Sequence, residues 1–265
     1  MADETSLVHC PLPPVMKIYY QWNLQGLYTF HVCGADQRDR LFAVKMHTGY
    51  SMSAPLHLNR GIHLYNGPTT KTPLLAAAGD DFPLFPSLPL NNNSQIWIPA
   101  RKSNGFTTET MRAYITQDKH AAFRFVTEIK SCKKLCRQRF EWRNIKRSER
   151  SDGGAEHGGF RLFLLSELDQ NTPRSGAGGQ VASTSSTAAS RGEVVATLEW
   201  RSFWTSPKHP FDLKLVGRGL SFGDRWIITV LITALRLWEL HARGKSQRGS
   251  VAVAELIGPK GKPVN

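Results

Sequence analysis

Apolar positions are densest in "DRWIITVLITALRLWELHARGK", residues 224–245. From Trp226 to Leu240 the run is almost continuous, interrupted only by Thr229, Thr233, Arg236 and Glu239. It reads as a helix over about 224–243. Asp224 is placed to cap its start, His241 and Arg243 fall in its last turn, and Gly244 follows as a stop. A membrane span needs about 20 mostly apolar residues. At 1.5 Å per residue this run covers only about 22 Å, and it contains Arg236 and Glu239. Ile227, Ile228, Val230, Leu231, Ile232, Ala234 and Leu235 project all the way round the axis. A helix without a polar stripe must be enclosed by protein. Burying about ten such side chains is worth roughly 15–25 kcal/mol against an extended chain.

Upstream, short segments of strand character alternate with turn residues. They cover 27–33, 40–47, 61–65, 74–78, 95–98, 110–116, 121–128, 137–143, 159–165, 193–200 and 212–216. Period-two alternation is clearest in "AAFRFVTE", with Phe123 and Phe125 opposite Arg124. It recurs in "RFEWRN", with Phe140 and Trp142 opposite Glu141 and Arg143. "NGPTTKTP" is a strong turn signal between such runs. Many short strands without alternating helices exclude a doubly wound sheet and fit a sandwich or a barrel. The all-round apolar helix decides between them. A mainly β chain is expected, folded as a closed antiparallel β-barrel of about 12 strands enclosing one apolar, near-C-terminal α-helix. The barrel domain is expected over 17–245, with tails at 1–16 and 246–265. "SVAVAEL" (250–256) is a candidate for one more strand. Residues 169–193, rich in Gly, Ser, Thr and Ala, read as a disordered loop inserted between strands.

These stretches resemble the tubby C-terminal-like superfamily, which includes tubby-like, phospholipid scramblase and LURP-one-related proteins. The residues carrying the resemblance are "HTGYS" (47–51), "HLYNGPTTKTPLLAAAG" (63–79), "TMRAYI" (110–115), "RFEWRN" (139–144), "GEVVATLEW" (192–200) and "GLSFGDRWIITVLITALRLWE" (219–239). Together they span most of 17–245 and run closest to an uncharacterised fungal branch. The resemblance implies the same barrel and central helix, and a wall whose basic side chains hold phosphoinositide headgroups. It transfers no site residue by residue. The acidic Ca²⁺ loop and longer apolar helix of scramblase-like members are not evident.

Charge adds a direction. The chain of 265 residues carries 34 Lys+Arg against 21 Asp+Glu, a net of +13, which favours anionic partners. Lys130, Lys133, Lys134, Arg137, Arg139 and Arg143 are the candidate ligand-binding residues, in a cluster that continues through Lys146, Arg147 and Arg150. On a strand, Arg137, Arg139 and Arg143 share one face while Phe140 and Trp142 face the core, a layout suited to anionic headgroups. The bland alternative is a solvated strand face. No helix-turn-helix, finger or RNP signature supports nucleic acid.

Candidate chemistry is sparse. No cofactor, metal or catalytic residue is expected, and the chain reads as a non-enzymatic binding module. "TGYSMS" lacks the second Gly of a nucleophile elbow. His63 and His120 read as strand-end residues. Trp97, Trp142, Trp200, Trp204, Trp226 and Trp238 read as barrel packing. Cys132 and Cys136 pair only if their segment turns; the four cysteines form no disulfide framework. The N-terminus lacks the pattern of a secretory signal, so an intracellular location, cytoplasmic or membrane-peripheral, is expected. Two functional readings stand: a module for anionic ligands, most plausibly phosphoinositides at a membrane surface, and a protein-interaction scaffold whose 169–193 loop recruits partners.

Overall fold

The computed structural model describes residues 7–21, 29–81, 92–101, 105–131, 134–145, 158–165, 192–201, 206 and 208–257. Twelve antiparallel strands close into a barrel. In chain order they are β1 (Val15–Gln21), β2 (Thr29–Cys33), β3 (Arg40–His47), β4 (Gly61–Tyr65), β5 (Leu74–Asp80) and β6 (Ser94–Pro99). There follow β7 (Phe106–Ile115), β8 (Ala121–Ser131), β9 (Lys134–Asn144), β10 (Gly159–Leu164), β11 (Glu193–Trp200) and β12 (Phe211–Leu215). Each strand pairs with the next, and β12 returns to β1, so Ile18 lies opposite both Val32 and Phe211. Closure leaves no unpaired sheet edge. A 3₁₀ turn, Gly217–Ser221, leads into α1 (Asp224–Ala242), and α2 (Arg248–Ile257) follows.

Every position of α1 from Arg225 to Leu237 is buried, on all faces. It lies against β4, β5, β6 and β8. The barrel's inner face explains that placement. On β5 the inward side chains are small, Ala76 and Ala78, whereas the strands from β8 round to β12 supply Phe123, Phe125, Phe140, Trp142, Phe160 and Phe211. A bulky wall on one side and an alanine wall on the other set the helix off-centre. Trp142 donates its indole N–H to Thr233 Oγ1 at 3.1 Å, and the Thr233 hydroxyl donates in turn to the Val230 carbonyl at 2.9 Å. Thr233 thereby satisfies both its own hydroxyl and the buried Trp142 indole.

The helix does not begin as the sequence suggests. Gly223 is the N-cap, with φ 87°, and Asp224 is the first helical residue, where its charge still favours the positive end of the dipole. The far end matches expectation. Gly244 adopts φ 68°, Lys245 N–H donates to the Leu240 carbonyl at 2.7 Å, and Gly244 N–H to that of His241 at 2.9 Å, which is a Schellman stop.

At this second rim α1 carries a buried ion network. The Arg236 guanidinium is fully buried and bonds Asp80, Glu239 and, at 2.8 Å, Ser94 Oγ. Arg243 approaches Glu239 at 3.2 Å and Asp80 at 3.5 Å. Burial pushes the Asp80 carboxyl up, but Arg236, Arg243 and Lys245 outweigh it and hold the group below its ordinary range. Among the described residues, no helix is long and apolar enough to cross a membrane.

Three expectations change. β1 is a further strand, which begins two residues inside the expected N-terminal tail and runs on into the expected barrel; Met16 and Ile18 point into the core, and Val8 ahead of it is buried as well. Residues 250–256 belong to α2 rather than to a strand. That helix packs on β7 and β8, buries Val251, and accepts the Ile115 N–H on Glu255 Oε2 at 3.2 Å. Trp97 sits on the outer face of β6, opposite Ala77 of β5, and is only half-buried. Trp142, Trp200, Trp226 and Trp238 do pack in or against the core. Trp204, Cys132 and nearly all of the 169–193 insertion lie outside the described residues.

Candidate anion-binding wall

The inward set on β7 to β10 (Met111, Phe123, Phe125, Phe140, Trp142, Phe160 and Leu162) belongs to the core. The intervening residues must therefore face outward. Register places them in rows across the four strands. One row reads Arg112, Arg124, Glu141, Phe163. The next, toward the second rim, reads Tyr114, Ala122, Arg143, Arg161. On the other side of the first row, Arg139 stands opposite Val126. Five arginines thus share this outer face with Glu141, which bonds two of them, Arg124 and Arg143.

Glu141 is the pivot. It is outward-facing yet only 1% exposed. Its Oε2 accepts the Tyr114 hydroxyl and two N–H groups of Arg124, at 3.0 and 2.8 Å, and its Oε1 accepts Arg143 Nε. Burial alone would raise its pKa; the Tyr114 hydrogen bond and the Arg143 and Arg124 guanidiniums hold it below the ordinary range. Burial and the adjacent Glu141 charge push the Tyr114 phenol up, so it stays protonated and donates. Arg124 lies 4.7 Å over the Tyr114 ring, and Arg143 lies 4.6 Å over that of Phe163. Such stacking fixes guanidinium planes.

Four of these arginines stand in cross-strand pairs. Arg112 and Arg124 are direct cross-strand neighbours, as are Arg143 and Arg161. Like charges directly opposite destabilise a sheet unless an anion stands among them; Glu141 is such an anion and bonds Arg124 and Arg143. A wall of this kind gains from a bound anion, which Arg forks hold through paired, charge-assisted hydrogen bonds.

Of the residues expected at the site, Arg139 and Arg143 join this wall. Arg137 lies nearer the first rim and is engaged with Glu109 by two contacts of 2.9 and 2.8 Å. Lys130 and Lys134 fall in the β8–β9 hairpin, and Lys133 lies outside the described residues, as do Lys146, Arg147 and Arg150. Arg112, Arg124 and Arg161, with Tyr114 and Phe163, complete the wall and escape a linear reading. Each is one polar-face residue in its own strand. Only the sequential strand order, which a closed meander imposes, brings them together.

No group of three or more His, Cys, Asp or Glu able to hold a metal occurs among the described residues. Compared with protein-family models, curated proteins and solved structures, the chain gives no match.

Proposed function

We propose that this protein is a non-enzymatic binding module for anionic ligands, its ligands being phosphoinositide headgroups at a membrane surface, and that it is a tubby-like barrel protein. The observation that carries the reading is the two cross-strand arginine pairs, Arg112–Arg124 and Arg143–Arg161, on one outer face with Glu141. The net charge of +13 supports it, since such a field concentrates anionic surfaces. The twelve-strand barrel around a near-C-terminal helix supports the family reading.

Vesicle co-sedimentation tests it. At ~150 mM salt the protein should bind phosphatidylcholine vesicles containing a phosphoinositide and leave pure phosphatidylcholine vesicles unbound. Each Lys or Arg near an anionic surface is worth about 1 kcal/mol, so Arg139→Glu with Arg161→Glu should weaken binding at least tenfold. Equal sedimentation with both vesicle types refutes the proposal.

A further inference from the structure

Toward the first rim, where α1 begins, buried donors stand without acceptors. Arg225 Nε, Arg225 Nη1, Trp226 Nε1 and Thr127 Oγ1 find no hydrogen-bond partner among the described residues. Arg225 is 8% exposed, and Trp226 and Thr127 are fully buried. A buried donor without an acceptor is costly, a charged one most of all. Arg225 is the second residue of α1, and a helical side chain leans back toward the N-terminus of its helix. Its Nη2 donates to Thr107 Oγ1 at 2.7 Å, and that hydroxyl donates to the Ile98 carbonyl at 3.4 Å. Thr107 is the second residue of β7, at the same rim, so the guanidinium is held beside the helix start. No side chain caps that start. Gly223 is the N-cap, and the first helical bond runs from Ile227 N–H to the Gly223 carbonyl at 3.1 Å. The N–H groups of Arg225 and Trp226 present the positive end of the helix dipole there.

The wall is parted beside Arg225. The β7–β8 ladder runs only from Arg112–Arg124 to Ile115–Ala121. Nearer the first rim, Phe106–Met111 pair with β6 and Phe125–Ser131 with β9. Continuing the β7–β8 register would set Glu109 against Thr127 and Thr107 against Ile129, so Thr127 and the Thr107 anchor of Arg225 lie on the two lips of one seam. Ion pairs bridge it in place of the ladder: Arg137 reaches Glu109 at 2.9 and 2.8 Å, and Arg101 reaches Glu128 at 3.0 Å. Glu128 and Glu109 are the carboxylates whose charge reaches Arg225. Neither of them, nor Asp224 in the first turn, bonds Arg225 Nε or Nη1. Burial and the Arg101 charge work against the Arg225 cation more than the two carboxylates favour it, and a further anion would reverse that balance. Guanidiniums and helix N-termini both hold phosphate, and a tetrahedral oxyanion has oxygens enough for the two at once. We infer that the β7–β8 seam binds a phosphate group on Arg225 and the N-terminus of α1. This site is separate from the outer arginine wall, whose cross-strand pairs lie toward the second rim, and it does not rest on the membrane reading.

Thermal unfolding of the full chain tests the site, with inorganic phosphate as the probe and sodium chloride at equal ionic strength as the reference. Arg139→Glu with Arg161→Glu is the background, so that the outer wall contributes least. A ligand that binds the native state alone raises Tm by mass action, so about 10 mM phosphate should raise it by at least about 2 °C over chloride, and the rise should saturate. Arg225→Met keeps the apolar stem and should lose the rise. Arg225→Lys keeps the charge without the planar donors and should need about tenfold more phosphate. Should Arg225→Met fail to fold, Arg225→Lys decides together with the ³¹P line of phosphate, which the unaltered site should broaden. Vesicles identify the source of the phosphate. Arg225→Met in the otherwise wild-type chain should sediment with phosphoinositide vesicles unchanged for a soluble phosphate, and about tenfold more weakly for a lipid headgroup; either result supports the site when the Tm rise is lost. Equal Tm in phosphate and chloride overturns the inference, and so does a rise that Arg225→Met retains. Both leave the vesicle-binding proposal standing. A phosphate rise that depends on Arg225, in a protein that binds no vesicle, overturns that proposal and supports this site.

Discussion

Replacing Arg236 by Met probes the ion network that fixes α1 along the barrel axis. The methionine fills the guanidinium's apolar stem space but leaves Asp80 and Glu239 with Arg243, at 3.5 and 3.2 Å, and the more distant Lys245 charge. It also leaves Ser94 Oγ without its 2.8 Å donor. Arg236 is 0% exposed, so no water can stand in for it. Removing one partner of a buried pair costs about 3–5 kcal/mol, a large part of the roughly 5–15 kcal/mol that a native domain holds. In urea the midpoint should fall with the slope unchanged, and Tm should fall on the order of 10 °C. The sign with pH follows from Asp80. Its depressed carboxyl stabilises the fold above its unfolded pKa, and that contribution disappears as pH falls through the lower folded value. The gap between wild type and Arg236→Met should therefore be full at neutral pH and shrink in acid. Adding Asp80→Asn and Glu239→Gln to Arg236→Met should recover at least half of the loss, because a neutral set leaves no uncompensated charge. A loss below about 1 kcal/mol, or no recovery in the neutral set, would refute the reasoning.

Other consequences can be measured in the same way. Thr233→Val keeps the shape of α1 but strands the buried Trp142 N–H, so urea unfolding should show a loss of about 1–3 kcal/mol. Burial, with His47 and Lys45 nearby, lowers His63 to about 4; between its ordinary 6.5 and that value the unfolded chain binds the extra proton. Stability should fall on acidification through this window by up to about 1.4 kcal/mol per pH unit from this group, and His63→Leu should flatten the urea midpoint between pH 7 and 5. His31 and His241, both lowered by burial, keep the remaining slope. Gly244→Ala should cost about 1 kcal/mol, since φ 68° is the obstacle and the space is open. Gly249→Ala, in α2 with equally open space, should instead raise Tm slightly.

The architecture was legible because two periodicities constrain each other. A rod apolar on all faces demands an enclosure, and alternating strands are able to supply one. β1 escaped because its pattern, Met16 and Ile18 inward with Lys17 between, follows a proline-rich start that resembles a tail. α2 escaped because "VAVA" has strand propensity, whereas its place against β7 and β8 at the rim favours a helix burying Val251. The basic wall was half legible. Arg139 and Arg143 stand in one conspicuous charged run, while Arg112, Arg124 and Arg161 are single charges whose proximity is a property of register. Glu141 reads as an ordinary exposed acid in sequence; only the folded sheet, with Tyr114 and Arg124 closing over it, buries it. The burial of residues 48–60, which join β3 to β4, could not be read either, because Leu56 and Leu58 are alike in sequence and opposite in burial.

Hydrogen exchange across 226–240 bears directly on the enclosure of α1. A helix walled in by twelve strands can exchange its amides only when the barrel opens, so these residues should be the slowest in the chain and should share the denaturant dependence of global unfolding. Exchange of one helix flank within seconds under native conditions would mean that α1 has a wet face, and the enclosed-helix barrel would be wrong.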